Sequence, residues 1–319
     1  MSFLRVENLS KTYQLRKAFG GRSKEQVHAV DNVSFEVQKG ETLGIVGESG
    51  CGKSTLGRTI VRLEEPTSGR IFFDEEELTS KSQSQLRVVR KKIQMIFQDP
   101  YASLNPRRPI GKIVEEPMRV HGISGDERRE NALSLLAKVG LDKDAYEKYP
   151  HQFSGGQRQR VVIARALSLN PSLVVADEPV SALDVSIQAQ VLNLFKDLQQ
   201  ELGLTYLFIA HDLGVVRHVS DRIAVMYLGK IVEMADAQSL YLQPAHPYTK
   251  ALLSANPRMD SADTQERIVL KGDIPNPINR PTGCSFHPRC PLAQEKCRSE
   301  EPQLLQISSG AQVACHFAS

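Results

Sequence analysis

A chain of 319 residues is long enough for a full hydrophobic core and for two structural units. Its formal net charge of +3 is too small to imply a nucleic-acid partner, and no apolar run approaches the roughly 20 residues that a transmembrane helix needs. The start, Met1 to Glu7, meets a charge almost at once and carries no signal-peptide pattern, so a soluble, cytoplasmic chain is expected.

Apolar alternation in Phe3 to Val6 and again in Val33 to Val37 predicts strands, with the basic, glycine-containing stretch Arg16 to Lys24 between them expected to be irregular. Thr42 to Val46 is a short apolar run suited to a buried strand, and Thr55 to Val61 opens a helix. Between them lies Gly47-Glu48-Ser49-Gly50-Cys51-Gly52-Lys53-Ser54-Thr55, which fits G-x-x-x-x-G-K-[ST] in the strand-then-helix context that pattern needs. Its glycines let backbone N–H groups wrap a phosphate chain at a helix N-terminus, where the dipole favours anions. Lys53 can then reach the β- and γ-phosphates and the Ser54 hydroxyl can ligate Mg²⁺. The chain is read as binding a nucleoside triphosphate.

Further on, the cluster Arg87, Arg90, Lys91 and Lys92 is expected to be a solvated helix face, and Ile93 to Phe97 a strand. From about Ile110 to Leu169 the pattern is helical, with Ala132 to Ala137 amphipathic. Leu173 to Ala176 and Tyr206 to Ala210 are apolar strands that each end in polar residues, at the carboxyl edge of a parallel sheet where ligands sit. Val191, Phe195, Leu198 and Leu202 mark a helix that packs one face on that sheet. Arg222 to Glu233 reads as a hairpin around Leu228-Gly229, and after about Ala235 prolines accumulate in a separate, loop-rich appendage.

Two sites of chemistry join the phosphate loop. Asp177, at the end of a strand, can hold the Mg²⁺ that bridges phosphates, and the adjacent Glu178 can orient or deprotonate an attacking water. Ser154-Gly155-Gly156-Gln157 opens another helix, with Ser154 as N-cap and two glycines that leave backbone N–H groups exposed. That is a second anion cradle, about 100 residues beyond the first. One nucleotide cannot easily use both within a monomer.

At this point the sequence resembles the ABC-transporter ATPases, over roughly residues 1–235. Gly47 to Thr55 is similar to the Walker A loop, Ser154 to Gln157 to the signature motif with Phe153 in place of the commoner leucine, and Asp177-Glu178 to Walker B and its catalytic glutamate. Gln98 resembles the Q-loop glutamine, Ser181 to Asp184 the D-loop, His211 the switch histidine, and Tyr13 the aromatic residue that stacks on adenine. The resemblance implies an α/β fold, with a P-loop (RecA-like) core, an N-terminal antiparallel β subdomain and an α-helical signature subdomain at about 100–169. It also implies that two cassettes associate head to tail, each ATP lying between Walker A of one and the signature of the other. In that arrangement Gly47, Gly50, Gly52, Lys53, Ser54 and Thr55 hold the phosphates, and Ser54, Gln98 and Asp177 the Mg²⁺. Glu178 takes the water, His211 the γ-phosphate and the closed state, and Ser154, Gly155, Gly156 and Gln157 the nucleotide of the partner cassette.

Residues 236–319 resemble the C-terminal extension of dipeptide/oligopeptide permease ATPases, on Pro244 to Leu253, Gly272 to Pro275 and the cysteines; Gln98 to Arg107 carries the same likeness. The chain is most like the second ATPase subunit of dipeptide permeases. That likeness implies ATP hydrolysis that powers import through two separate membrane permease subunits fed by a solute-binding protein. It also implies a homologous ATPase as heterodimer partner, no nucleic acid, and a peripheral place on the cytoplasmic face of the inner membrane. Related nickel, glutathione or other importers share the architecture, and a non-transport ABC ATPase is the alternative from another class.

Four of the five cysteines, Cys284, Cys290, Cys297 and Cys315, fall within the last 36 residues. Clustering in a chain expected to be cytoplasmic favours a metal over disulfides. Spacing alone leaves Zn²⁺ and an iron–sulfur cluster open, with His287 and His316 beside ligand positions. The permease resemblance implies a structural [4Fe-4S] cluster, with Zn²⁺ second.

Overall fold

A computed structural model describes residues 2–16, 22–255, 268–270 and 272–318. Its strands are β1 (Leu4–Arg16), β2 (Arg22–Val37), β3 (Thr42–Val46), β4 (Ser68–Phe73), β5 (Glu76–Glu77), β6 (Ile93–Ile96), β7 (Leu173–Asp177), β8 (Thr205–Ala210), β9 (Arg222–Tyr227), β10 (Lys230–Asp236), β11 (Leu305–Gln306) and β12 (Gln312–Val313). The chain divides into two compact units, one of Met1–Gln38, Thr42–Ser80 and Ala210–Ser319, the other of Lys39–Glu41 and Lys81–Ile209.

The first unit carries an antiparallel sheet in the order β2-β1-β4-β5. Val6, Leu9, Val30, Val33 and Phe35 are buried in it, and Phe3 meets the Phe73 ring edge-on at 4.9 Å. The sequence expectation of two short strands was too modest: β1 and β2 are long and interrupted by register shifts, with Asn8 and Asn32 at positive φ. β2 already begins at Arg22, so residues 22–24 are strand rather than irregular, while residues 17–21 lie outside those described. A second run of strands, β11-β12-β10-β9-β3, is antiparallel except for the parallel pair β3 and β9. The hairpin turn at Leu228-Gly229 takes positive φ at both residues, 45° and 84°, the twist a two-residue hairpin needs. All five residues of β3 are buried, as a parallel strand covered on both faces requires.

The second unit is built on three parallel strands, β6, β7 and β8. β7 and β8 are buried throughout, and the helix Val185–Leu202 supplies Val191, Phe195 and Leu198 as buried residues. Phe195 packs edge-on against Tyr206 and Phe208 of β8, at 5.4 and 5.5 Å. Leu202 ends that helix and is 40% exposed, so the apolar stripe stops one turn earlier than the sequence suggests. The helical stretch resolves into Ile110–Val120, Gly125–Lys138 and Gly155–Leu167, with two short 3-10 turns between the last two. The basic cluster is a solvated face: in the helix Gln83–Lys92, Leu86 and Val89 are buried while Arg87, Lys91 and Lys92 are exposed.

The tail is less loop-like than its prolines suggest. Helices Ala237–Leu242 and Pro247–Ala255 follow β10 directly, and β12 adds to the edge of β10 through Glu233↔Val313. The join is made by Glu233, fully buried, whose carboxylate accepts the N–H groups of Ala245 and His246 at 2.8 and 2.9 Å. His246, also buried, accepts the Tyr248 N–H on Nδ1 at 3.1 Å, and burial pushes its imidazole down to about 3. In the unfolded chain the same group titrates near 6.5, so below that pH the unfolded state takes up a proton that the folded state refuses. Stability is therefore full above pH 6.5 and is lost as pH falls toward 3, by about 1.4 kcal/mol for the first unit below 6.5. Melting of wild type and His246→Gln between pH 7.5 and 5.5 checks this; the variant is expected to lose that part of the acid sensitivity.

Candidate functional site

The phosphate loop sits in the first unit between buried β3 and the helix Lys53–Ile60. Gly52 caps that helix with φ of 105°, a value L side chains rarely adopt, and a Cβ there would lie 1.9 Å from the Ala29 carbonyl oxygen. The loop is therefore pressed against β2, and its first helical N–H groups open where an anion can be held. Lys53 is buried, and its ammonium donates to the carbonyls of Gly47 at 2.8 Å and Glu48 at 3.0 Å. It is thus gathered into the concave side of the loop. Ser54 and Thr55 follow on the half-buried first turn. From the far side, Gly229 of the hairpin donates its N–H to the Cys51 carbonyl at 2.8 Å, and the Tyr248 hydroxyl accepts the Glu48 N–H at 2.9 Å. Tyr248 belongs to the tail motif Pro244 to Leu253; that membership was the signal that could have marked it.

Also in the first unit, Tyr13 stands half-buried on β1, its hydroxyl bonded to Glu64 and the Lys11 ammonium 4.9 Å from its ring centre. His211 is exposed immediately after β8, just before Asp212 caps the short helix Leu213–Val219.

In the second unit, Asp177 ends β7 fully buried, and Glu178 follows it at φ of 47°. A non-glycine residue in the left-handed region is strained by about 1–3 kcal/mol and persists only where its surroundings fix it. Here the Glu178 N–H donates to the Ile209 carbonyl at 2.9 Å, and the Gln98 amide donates to its carboxylate at 2.9 Å. Gln98 and Glu178 are 80 residues apart in sequence, yet the structure brings them into contact. Ser154 caps the helix Gly155–Leu167 as expected, in a reciprocal box: its hydroxyl accepts the Gln157 N–H at 3.3 Å and Gln157 Oε1 accepts the Ser154 N–H at 3.0 Å. A hydroxyl that accepts a bond keeps its own proton to donate. Gly156 packs so closely that a Cβ would lie 2.5 Å from Ile187 Cγ2, while Gly155 is half-buried beside it. Ser181 and Asp184 lie on the turn that leads into the helix Val185–Leu202.

The sequence matches the family described as ABC transporter over residues 30–181, and that described as oligopeptide/dipeptide transporter, C-terminal region, over residues 232–297. The oligopeptide transport ATP-binding protein AppF of Bacillus subtilis is 54% identical over 322 residues, covering 100% of this chain and 98% of that protein. The chain belongs to the ATP-binding subunits of dipeptide and oligopeptide ABC transporters. The dipeptide transport ATP-binding protein DppF of Escherichia coli is 50% identical, covering 98% of this chain and 93% of its own. Among solved structures, the dimeric ATP-binding cassette MJ0796 bound to ADP and Pi matches with a TM-score of 0.65 and 33% identity, over 73% of this chain and 98% of that one. CbiO1 of Clostridium perfringens matches with 0.66 and 28%, over 76% and 91%. The P-loop α/β fold expected from the motifs is that of these cassettes.

The cysteine centre is a correction. Cys284, Cys290, Cys297 and Cys315 do line one cavity of about 190 Å³, together with His246, Phe286 and Leu292. Among the described residues, however, no group of three or more His, Cys, Asp or Glu side chains is disposed to hold a metal ion. The expected [4Fe-4S] cluster, and the zinc alternative with His287 and His316, are therefore withdrawn.

The geometry of Gly52 makes a direct prediction. Gly52→Ala forces a Cβ against the Ala29 carbonyl at a positive φ, so the loop must shift. A destabilisation of about 1–3 kcal/mol is expected from that strain, together with weakened ATP binding, read by denaturant melts and by titration of a fluorescent ATP analogue.

Proposed function

We propose that this chain is the ATP-hydrolysing subunit that powers import of dipeptides or oligopeptides through separate membrane permease subunits. The observation that carries this reading is the phosphate loop with Lys53 gathered on its concave face, in a chain aligned end to end with peptide-transport ATP-binding proteins. The dipeptide transport protein DppF of Haemophilus influenzae, 53% identical over 98% of this chain, supports the same reading. Residues 1–235 are taken as the nucleotide-binding domain and 236–319 as the permease-type extension.

The residues fit a Mg²⁺·ATP ligand. The Ser54 hydroxyl, the Asp177 carboxylate and the Gln98 amide oxygen are hard oxygen donors of the kind Mg²⁺ takes. A bound Mg²⁺ neutralises charge on the phosphates during phosphoryl transfer. Gly47, Gly50, Gly52 and Thr55 offer loop N–H groups to the phosphates, and Lys53 exchanges the loop carbonyls for phosphate oxygens. Tyr13 supports the adenine. Glu178, its carboxylate aimed by Gln98, accepts the proton of the attacking water, and His211 contacts the γ-phosphate. Ser154 donates its hydroxyl proton, and Gly155 and Gly156 their N–H groups, to the nucleotide of a partner cassette, with Gln157 holding that cap in shape. The dimeric state named for MJ0796 supports such a pairing; here the partner is a homologous, non-identical subunit.

Among the described residues no helix is long and apolar enough to cross a membrane, so permease contact needs an exposed surface. In the second unit, a cavity of about 420 Å³ opens beside the Q-loop segment, lined by Ser103, Asn105, Arg108, Ile113, Pro117 and Val120 among others. Tyr101 nearby is 59% exposed, with the Arg158 guanidinium 4.2 Å from its ring centre. This segment faces the permease loops on the cytoplasmic side of the membrane, fed from outside by a solute-binding protein.

Two outcomes test the proposal. Glu178→Gln in the assembled transporter is expected to keep ATP binding and lose turnover on the order of 10²–10⁴-fold, as general-base removal does; wild-type turnover would remove Glu178 from the role. Crosslinkers placed at Tyr101 and Asn105 are expected to capture permease subunits in membranes. Capture of the partner ATPase instead would place this segment at the cassette interface and overturn the assignment.

A further inference from the structure

Glu48 is an acidic residue within the phosphate loop, and a carboxylate there opposes the binding of a triphosphate by like-charge repulsion. The structure pairs it with a residue 241 positions away in the C-terminal extension. Arg289 donates Nη1 to Glu48 Oε2 at 2.6 Å and Nη2 to Glu48 Oε1 at 3.1 Å, a two-pronged bond of the strongest side-chain type. The Arg289 side chain is only 8% exposed and that of Glu48 25%. Both belong to the first unit.

The pairing is anchored rather than incidental. The Arg289 N–H donates to the Phe286 carbonyl at 3.0 Å, and the buried Phe286 packs against both Tyr227 and Tyr248, at 5.2 and 5.4 Å. Tyr248 in turn accepts the Glu48 N–H, and the Glu48 carbonyl receives the Lys53 ammonium. Every polar group of Glu48 is thus held, its side chain and N–H from the extension and its carbonyl by the lysine assigned to the phosphates.

We propose that Arg289 is a positioning residue for ATP: it neutralises Glu48 and fixes the phosphate loop, so that the extension sets the nucleotide affinity of the cassette. The idea rests on the reading of this loop as the ATP site. It requires that losing the guanidinium weaken ATP more than ADP, because the uncompensated carboxylate repels the more highly charged ligand more. It also requires that removing the carboxylate as well restore binding, which a purely architectural role for Arg289 does not.

The test uses the full chain, fluorescent ATP and ADP analogues, and melting temperatures for each variant. Arg289→Gln is expected to weaken ATP binding on the order of tenfold to a hundredfold, ADP less, and both deficits to shrink in high salt. Glu48→Gln/Arg289→Gln is expected to regain most of the lost affinity, and Arg289→Lys, which keeps the charge, to remain near wild type. Lys53→Ala serves as the control for the site itself: if it binds ATP like wild type, the loop is not the nucleotide site and the whole reading falls. If Lys53→Ala loses binding while Arg289→Gln keeps it, only the role of Arg289 is overturned. A double variant no better than Arg289→Gln overturns it too. Should Arg289→Gln fail to fold, the amide pair, which buries no lone charge, decides: affinity near wild type supports the proposal, and a loss as deep as that of Lys53→Ala overturns it.

Discussion

The first unit depends on one tight turn, the passage from β3 into the helix Lys53–Ile60. A strand buried on both faces must deliver the chain into a helix within a few residues, and Gly52 makes that possible at φ of 105° with its Cα against the Ala29 carbonyl. Neighbouring segments then pack to hold the turn. The β9–β10 hairpin gives the Gly229 N–H to Cys51, and Tyr248 takes the N–H of Glu48. Lys53 closes the loop from inside by bonding its own backbone carbonyls. A buried ammonium held by neutral acceptors, the loop carbonyls and the Cys51 sulfur, is a site prepared for a stronger acceptor, since charge-assisted bonds to anionic oxygens exceed those to neutral ones.

The second unit prepares its acid differently. Glu178 is held in the left-handed region by a backbone bond to Ile209 and a side-chain bond from Gln98. Strain of this kind keeps a carboxylate at a fixed angle to its strand, which flexible rotamers alone do not do. Neither the strain nor the Gln98 contact is written locally in Asp177-Glu178-Pro179, because both arise from chain segments far away in sequence.

That contrast explains what was legible. Elements whose signal is local were read well: the buried run Thr42–Val46, the loop glycines, the Ser154 cap with Gln157 three residues on, and the hairpin at Leu228-Gly229. Elements set by distant partners were not. β1 extends to Arg16 because β2 pairs with it, and the two-residue strands β11 and β12 form because the edge of β10 offers them partners. The cysteines show the same limit in reverse. Their spacing placed four thiols together, and they do line one cavity, but among the described residues no group of three or more His, Cys, Asp or Glu side chains is disposed to hold a metal ion. Sharing a cavity is a matter of where the chain runs, whereas ligand geometry depends on side-chain directions that spacing does not carry.

The extension is better understood as part of the first unit's core than as an appendage. Glu233 buries a carboxylate at the very point where the chain leaves β10, and burial raises its affinity for a proton despite the N–H groups it accepts. Such a group is tolerable only while Ala245 and His246 stay in place to bond it. From there Tyr248 and Phe286 pack edge-on against Tyr227, a residue of the strand that precedes the Leu228-Gly229 turn. Removing the extension would therefore uncover aromatic surface, strand a buried carboxylate and release the Glu48 side chain in one stroke. A segment so placed cannot be loosened without loosening the phosphate loop, which gives the extension a physical hold on that loop through Glu48.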